Sequence, residues 1–397
     1  MTAGLYAPPD GRFLERAAPA LARCGHLEVV PCGLWMPEAS TFRPNGYLPW
    51  IEDLQQQLGV PVLAHGTWLD PCGAGPTEAW LDKLAAVHER LDFPWFTDHL
   101  GACTLDGHVI TLPVPMPWTI ETLHRARSAL QAVADIVGLV GLENSAFYVD
   151  AGDDASFLAH ACGAPHAMLL DVQNLVVAEE NLGIDVGDWL RRAPLDRVIE
   201  VHVAGGSRSA PSWLSSGATY ALDSHDGSVP ARTWELLEAV LPRLPSLRAL
   251  TLERLEGTLD DADVDGLVSD LGRLTDLADA CPEPRPLPGT GGTSAPLVGG
   301  PEVDGDWAAA LRGDRRGGTR WLEEVLAQED GVALTGRLVL QQRFSRLLRG
   351  SVPASRWFER DPRAFTEAWR LYHEEVVATA RTPGAEARAF EAWVAAG

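Results

Sequence analysis

Along residues 1–281, short apolar runs alternate with stretches whose apolar positions repeat at helical spacing. The runs at 26–31, 61–65, 95–99, 139–143, 167–171, 198–203 and 247–253 predict strands, with an eighth near 4–8. Between them, 81–90, 120–137, 232–241 and 264–278 place apolar residues every three or four positions, which puts them on one helical face. Strand alternating with helix predicts a parallel sheet covered by helices. At roughly 31 residues per unit the spacing fits an α/β fold of the (β/α)8 TIM-barrel type. A doubly wound open sheet is the alternative, and no GxGxxG motif follows a strand to favour it.

The pattern changes at residues 282–305 (PEPRPLPGTGGTSAPLVGGPEVDG), where Pro and Gly are too dense for a helix or a central strand. This reads as a linker between a catalytic domain, 1–281, and a second domain, 306–397. Helical spacing returns at 321–327, 338–348 and 365–380, with Pro353 and Pro383 as breaks, so the second domain is expected to be small and all-α. Its segment 337–363 holds seven Arg and two acids, interleaved with Phe344, Trp357 and Phe358. The plain reading of that patch is a solvated helix face or a dock on the acidic barrel. The functional reading is a built-in substrate-recognition or partner-like module that holds an acidic segment.

Charge narrows the partners. The chain carries 55 acids against 32 bases, a formal net charge of −23, which opposes unassisted docking on nucleic acid or an anionic membrane. No apolar run approaches the roughly 20 residues of a membrane span, and the first residues lack the basic and apolar blocks of a signal peptide, so a cytoplasmic location is expected. The six cysteines show no CxxC spacing and read as reduced, mostly structural thiols.

Nearly every predicted strand ends on, or just before, a residue able to bind a metal. The series is His65, His99, Glu143, Asp171, His202, then Asp223 and His225, and Glu253. In a β/α barrel the carboxyl ends of all strands converge on one mouth, so these residues can meet. A lone His at a strand end is usually structural; four imidazoles and four carboxylates at successive ends are harder to dismiss. Two carboxylates 4 Å apart repel by about 4 kcal/mol at an effective dielectric near 20, so four in one pocket need protons or cations. Imidazole with carboxylate and no clustered thiolate favours iron, manganese or zinc, and eight candidates exceed one ion's needs. Two or three ions are implied, with Glu143 the most central bridge. Asn174 can add an amide oxygen, although a structural turn role is equally open. Lys83 lies in a surface-type helix.

The segments GLENSAFYVD, MLLDVQNLVVAEENLG, EVHVAGG, ALDSHDGSVP and TLERLEG resemble, in order and spacing, the motifs of the multinuclear non-heme iron-dependent oxidative enzymes, the MNIO family. Its members, the iron subunit of methanobactin biosynthesis enzymes among them, modify ribosomally made precursor peptides. The resemblance covers roughly residues 20–280. It implies a TIM barrel of the xylose-isomerase-like type holding two or three irons in mixed Fe(II)/Fe(III) valence, with O2 as co-substrate. The eight named residues fall where the family places its ligands, and Glu143, Asp171 and His225 are expected to act in catalysis. The implied substrate is a precursor peptide, most often modified at cysteine, and the family generally uses a partner protein to hold the leader. Two positions depart from the pattern. Pro31-Cys32-Gly33-Leu34 stands where an acid and an asparagine are frequent, and Gly206 stands where a histidine is frequent.

Two rival functions use the same ligand types. A redox-inert Zn or Mn barrel would perform isomerisation or hydrolysis. A nuclease, though, would want a basic rim, and residues 1–281 hold 39 acids against 17 bases. A non-catalytic metal- or peptide-binding scaffold would be marked by lost ligands, and none is obviously lost.

Overall fold

The computed structural model describes residues 1–289, 297–314 and 318–396, so part of the expected linker, 290–296, lies outside the described residues. Among the described residues, eight parallel strands close a barrel in the order β1 (Thr2–Tyr6), β2 (His26–Val29), β3 (Val62–Gly66), β4 (Phe96–His99), β7 (Val140–Glu143), β8 (Ala167–Asp171), β9 (Val198–Ala204) and β10 (Ala249–Glu253). β10 closes on β1 in continuous register, Thr2 opposite Ala249 through Leu5 opposite Leu252. This is the TIM barrel the spacing predicts. Barrel strands are buried on both faces, which is why they read as apolar runs and not as alternations.

The connecting helices start where side chains can cap them. Thr77 caps Glu78–Leu91 and Thr119 caps Ile120–Val137, each accepting a backbone N–H of the first turn. Asp171 does the same for Val172–Leu182, so one strand-end carboxylate is also a helix cap.

One element escapes the apolar-run reading. β5 (Ala102–Leu105) and β6 (His108–Val114) form an antiparallel hairpin outside the barrel. Asp106 (φ 47°) and Gly107 (φ 75°) form its tip, the two left-handed residues that a tight hairpin turn requires.

Beyond the linker, helices span Asp304–Leu311, Arg320–Leu326, Glu329–Gly350, Val352–Arg360, Pro362–Glu375 and Pro383–Ala396. The first packs into the barrel's own core: Trp307 is fully buried and its indole donates to the Pro115 carbonyl at 3.1 Å. Farther along, a second core gathers Phe344, Trp357, Phe358, Phe365, Trp369 and Phe390. Phe344 lies 5.5 Å from Phe358 and 5.7 Å from Phe365, edge to face. The aromatics interleaved with the arginines therefore face inward.

Several arginines of 337–363 are also engaged within the chain. Arg343 pairs with Glu386 at 2.8 Å, Arg346 sits over Trp68, Arg349 reaches Glu256 at 3.4 Å, and Arg337 sits over Trp213. Pro353 and Pro383 mark breaks between helices, each standing in the first turn of the helix that follows, where a missing N–H costs nothing. The helix expected to reach residue 380 ends at Glu375, and beyond it the Ala378 carbonyl accepts from Val109 N on the hairpin at 2.7 Å. No helix among the described residues is long and apolar enough to cross a membrane.

Candidate metal centre

Because the strands are parallel, their carboxyl ends share one mouth, and the ladder register sets how closely the ends approach. His99 stands opposite Glu143 across β4 and β7, and Asp171 stands opposite His202 across β8 and β9. Glu143 occupies the middle. Its Oε2 lies 3.2 Å from His65 Nε2 and 3.4 Å from His99 Nε2. Its Oε1 lies 3.8 Å from His202 Nδ1 and 3.4 Å from the Asn174 amide nitrogen. One carboxylate thus presents a separate oxygen to each of two groups: His65, His99 and Glu143, then Glu143, Asp171, His202 and Glu253. Within each group the ligand atoms lie within 4.8 Å of one another.

Asp223 and His225 stand one step outward. His225 Nε2 meets Asp223 Oδ1 at 2.5 Å, while its Nδ1 lies 3.7 Å from Glu253 Oε2, which links the pair to the second group. His225 adopts φ 45°, a left-handed conformation uncommon in residues with a side chain. The loop that carries the pair passes very close to β9. A Cβ on Gly205 would stand 2.1 Å from the Ser228 carbonyl oxygen, and one on Gly206 would stand 2.0 Å from that of Leu222. Any side chain at 206 would push this loop away, which gives a packing reason for glycine at that position.

The buried atoms at this mouth are poorly satisfied. His65 Nε2, Glu143 Oε2, Asp171 Oδ2, Asn174 Oδ1, His202 Nδ1, His225 Nδ1 and Glu253 Oε2 all lack a hydrogen-bond partner among the described residues. His202 Nδ1 and Glu253 Oε2 are 2.9 Å apart, yet they are not aligned as donor and acceptor. Buried polar atoms are normally paired, so seven orphans converging on one point fit a group that is bound there. The donor set, imidazole nitrogen with carboxylate and amide oxygen, suits divalent iron, manganese or zinc.

Protonation shows the same tension. Burial disfavours charge on the imidazoles, but Glu143, Asp98 and Glu253 outweigh it at His99 and raise that group to about 10; Asp223 and Glu253 do the same for His225. Burial would raise Glu143, and the neighbouring His99 and His65 instead hold it down to about 2. Glu253 is held low in the same way by His202 and His225. Asp171 is pushed well up, first by burial and then by the charges of Glu143, Asp223 and Glu253. Protons on imidazoles and on Asp171 balance the packed carboxylates, and a cation can replace them.

Other residues support the cluster, and strand-end reading missed Glu28 and Thr97 among them. Glu28, fully buried in β2, lies 2.9 Å from His202 Nε2 and joins a third group with His65 and His202. With Nε2–H donated to Glu28, the Nδ1 lone pair of His202 faces Glu143 and Glu253. His65 Nδ1 pairs with Thr97 Oγ1 at 2.9 Å. Asn174 is held by three bonds: its N–H donates to Asp171 Oδ1, and its amide donates to Asn144 O and Glu143 Oε1. The signal that could have found Glu28 is the spacing His26-x-Glu28 in β2, matched by Glu200-x-His202 in β9. Both pairs put two ionisable residues on the inward face of one strand.

The thiols are not activated. Burial pushes Cys32 up to about 11 and Cys103 well above its ordinary value, so neither is a ready nucleophile. Lys83, expected on a surface helix, is only 9% exposed and lines a cavity beside the mouth.

The protein-family model described as RiPP precursor modification enzyme MbnB/TglH/ChrH matches residues 25–275. A UPF0276 protein of Rhizorhabdus wittichii is 29% identical over 283 residues, covering 70% of this chain and 94% of its own. A UPF0276 protein of Caulobacter vibrioides is 30% identical over 218 residues, covering 53% of this chain and 74% of its own. Among solved structures, D-psicose 3-epimerase from Clostridium cellulolyticum aligns with a TM-score of 0.46 at 12% identity, over 70% of this chain and 98% of its own. Endonuclease IV from Thermus thermophilus aligns with a TM-score of 0.42 at 19% identity, over 69% of this chain and 99% of its own. The family match spans all eight predicted ligand residues and stops before the helical tail. By that match, the chain belongs to the family of RiPP precursor modification enzymes MbnB/TglH/ChrH.

Proposed function

We propose that the chain is an O2-dependent multinuclear iron oxidase that modifies a ribosomally made precursor peptide, acting at cysteine. The observation that carries this reading is the position of Glu143, with one oxygen toward His65 and His99 and the other toward His202, inside a ring of buried atoms without partners. In this reading His65, His99 and Glu143 hold one iron, and Glu143, Asp171, His202 and Glu253 hold a second. Asp223 and His225, with Glu253, hold a third where one is bound, and the Asn174 amide oxygen is available as an added ligand. Iron at these positions supplies the one-electron redox chemistry that zinc lacks, with O2 accepting the electrons taken from the peptide.

The chain's own residues do the rest. Glu28 fixes the tautomer of His202, the cap at Asp171 fixes the carboxylate that faces Glu143, and Asp171 is the carboxyl most inclined to hold a proton. The helical tail acts as a partner-like module in this proposal, and a separate leader-binding protein is needed only if it does not. The enzyme works in the cytoplasm. Metal analysis of anaerobically purified protein is expected to give two or three irons per chain, with O2 uptake and a mass change when the precursor is added. Zinc or manganese alone in a fully active preparation would overturn the reading.

A further inference from the structure

We propose that the cavity between the barrel mouth and the tail is a recognition pocket for a carboxylate next to an apolar side chain on the substrate peptide. The cavity is about 220 Å³ and is lined by Cys32, Trp35, Trp68, Trp80, Lys83 and Arg381. Cys32 follows β2 and Trp68 follows β3, so the pocket opens on the same face as the metal cluster. The backbone N–H of Trp68 is held at 3.1 Å by Asp98, the neighbour of His99, which ties the pocket wall to that cluster.

Three indoles make the walls apolar, and two cations face the space. Lys83 is the only lysine of the chain. It is more than nine-tenths buried, and among the described residues it has no ion pair or hydrogen bond. Lysines bury their stems readily but keep the ammonium where something can solvate it, and here that place is the cavity. Arg381 comes from the tail. It makes only long contacts, 3.5 Å to Thr104 Oγ1 and 3.9 Å to Asp70 Oδ2, and Asp70 is already taken by the backbone N–H groups of Cys103, Thr104 and Ala74. The nearby Glu38 is engaged by Thr382 and Arg388. In a barrel with 39 acids against 17 bases, two cations with spare donors in an indole-lined cavity select an anion with an apolar neighbour. A carboxylate can come from an Asp or Glu side chain or from a peptide's own end. The tail thereby contributes to recognition through Arg381, not through the arginines of 337–363.

This inference rests on the peptide-modifying reading, but its test does not use iron or turnover. The full-length protein is titrated calorimetrically with N-acetyl-Leu-Asp-amide, N-acetyl-leucine and N-acetyl-Leu-Asn-amide. Saturable binding is expected for a carboxylate probe, at least tenfold tighter than for the neutral amide. The first probe binding better assigns a side-chain carboxylate, and the second a chain end. Lys83→Met and Arg381→Gln, each checked for an unchanged melting temperature, are expected to remove that tenfold preference, and Lys83→Arg to keep most of it. Equal binding of the neutral probe, an unaltered preference in both charge-removing variants, or displacement of the peptides by inorganic phosphate would overturn the assignment. Loss of the preference with normal iron content would leave the oxidase reading standing; a zinc-only protein that kept the preference would leave the pocket standing.

Discussion

The barrel holds two layers of buried ionisable groups on the same strands, and they are built in opposite ways. In the lower layer every polar group has a partner. His26 bonds Thr2 Oγ1 at 2.9 Å and Thr251 Oγ1 at 3.0 Å, while Glu200 accepts from Thr251 and from the Trp95 indole, each at 2.7 Å. Thr251 gives its one proton to Glu200, so it must accept from His26 Nε2–H, while burial disfavours a second proton on the His26 ring at Nδ1. Its lowered value, about 4, follows chiefly from burial. In the upper layer, His202 and Glu253 stand two residues farther along β9 and β10, and they end in atoms without partners, as does Glu143 on β7. Burial of charge is common to both layers, so burial alone does not mark a site. What separates a structural network from a binding site is whether the chain closes its own hydrogen bonds.

The sharpest break between the layers is expected from Glu143→Ala. Bound iron should fall and turnover should drop by more than the ~10–100-fold typical of losing an outer-shell partner. Full iron and turnover in that variant would remove the bridging role. Glu28→Ala tests which layer Glu28 belongs to: iron affinity should weaken by about 10–100-fold as His202 loses its orientation, and an unchanged affinity in a metal titration would move Glu28 to the structural set. Thr251→Val, a change of similar shape, leaves His26 and Glu200 short of a partner. Urea unfolding should show a loss of about 1–3 kcal/mol with iron content unchanged; iron lost along with stability would mean that the two layers are not separate.

Acid should act on the lower layer first. His26 has a folded value of about 4 against an ordinary 6.5, so the unfolded chain takes up the proton first as pH falls. The stability it provides is complete above pH 6.5 and is lost as pH falls toward 4. His26→Gln should flatten part of that acid limb in pH-dependent unfolding. It should not flatten all of it, because His166 and His373 are also lowered to about 4 by burial. The smallest effect is expected from Cys32→Ser at the pocket: iron content unchanged, with the KM for peptide altered more than kcat. A variant that loses iron would place the thiol in the upper layer instead.

The barrel and the meeting of His65, His99, Glu143, Asp171, His202 and Glu253 were legible because one rule of topology, convergence of carboxyl ends, turns sequence order into spatial neighbourhood; Asp223 and His225 come instead from the loop after β9. That rule does not extend down the strand, so His26, Glu28 and Glu200 were passed over although their two-residue spacing showed which face they share. The hairpin was missed for a different reason. Its Asp106-Gly107 turn was visible, but it lies in the connection between two barrel strands, where nothing besides the helix at 120–137 was expected. Lys83 was misplaced because helical periodicity shows only which residues pack on the barrel; Lys83 stands at the edge of that set, beside Leu84 and Val87, and nothing in the pattern foretells that residues from Arg381 onward return to line the cavity next to it. The arginine-rich stretch was legible in part: Arg349 docks on the barrel at Glu256, as the plain reading of the patch allows, but composition cannot tell such an arginine from Arg343, buried against Glu386 within the tail.

Trp307 has a consequence for the order in which the protein is made. On the ribosome all eight barrel strands emerge before it does. The hairpin β5–β6 packs against the helices Asp304–Leu311 and Glu329–Gly350. Until these are synthesised, apolar side chains of the shared core such as Leu105, Ile110 and Met116 lack part of their cover. Exposed strands of this kind invite association between nascent chains. By arriving late and closing over the hairpin, the tail completes a core that the barrel strands only begin.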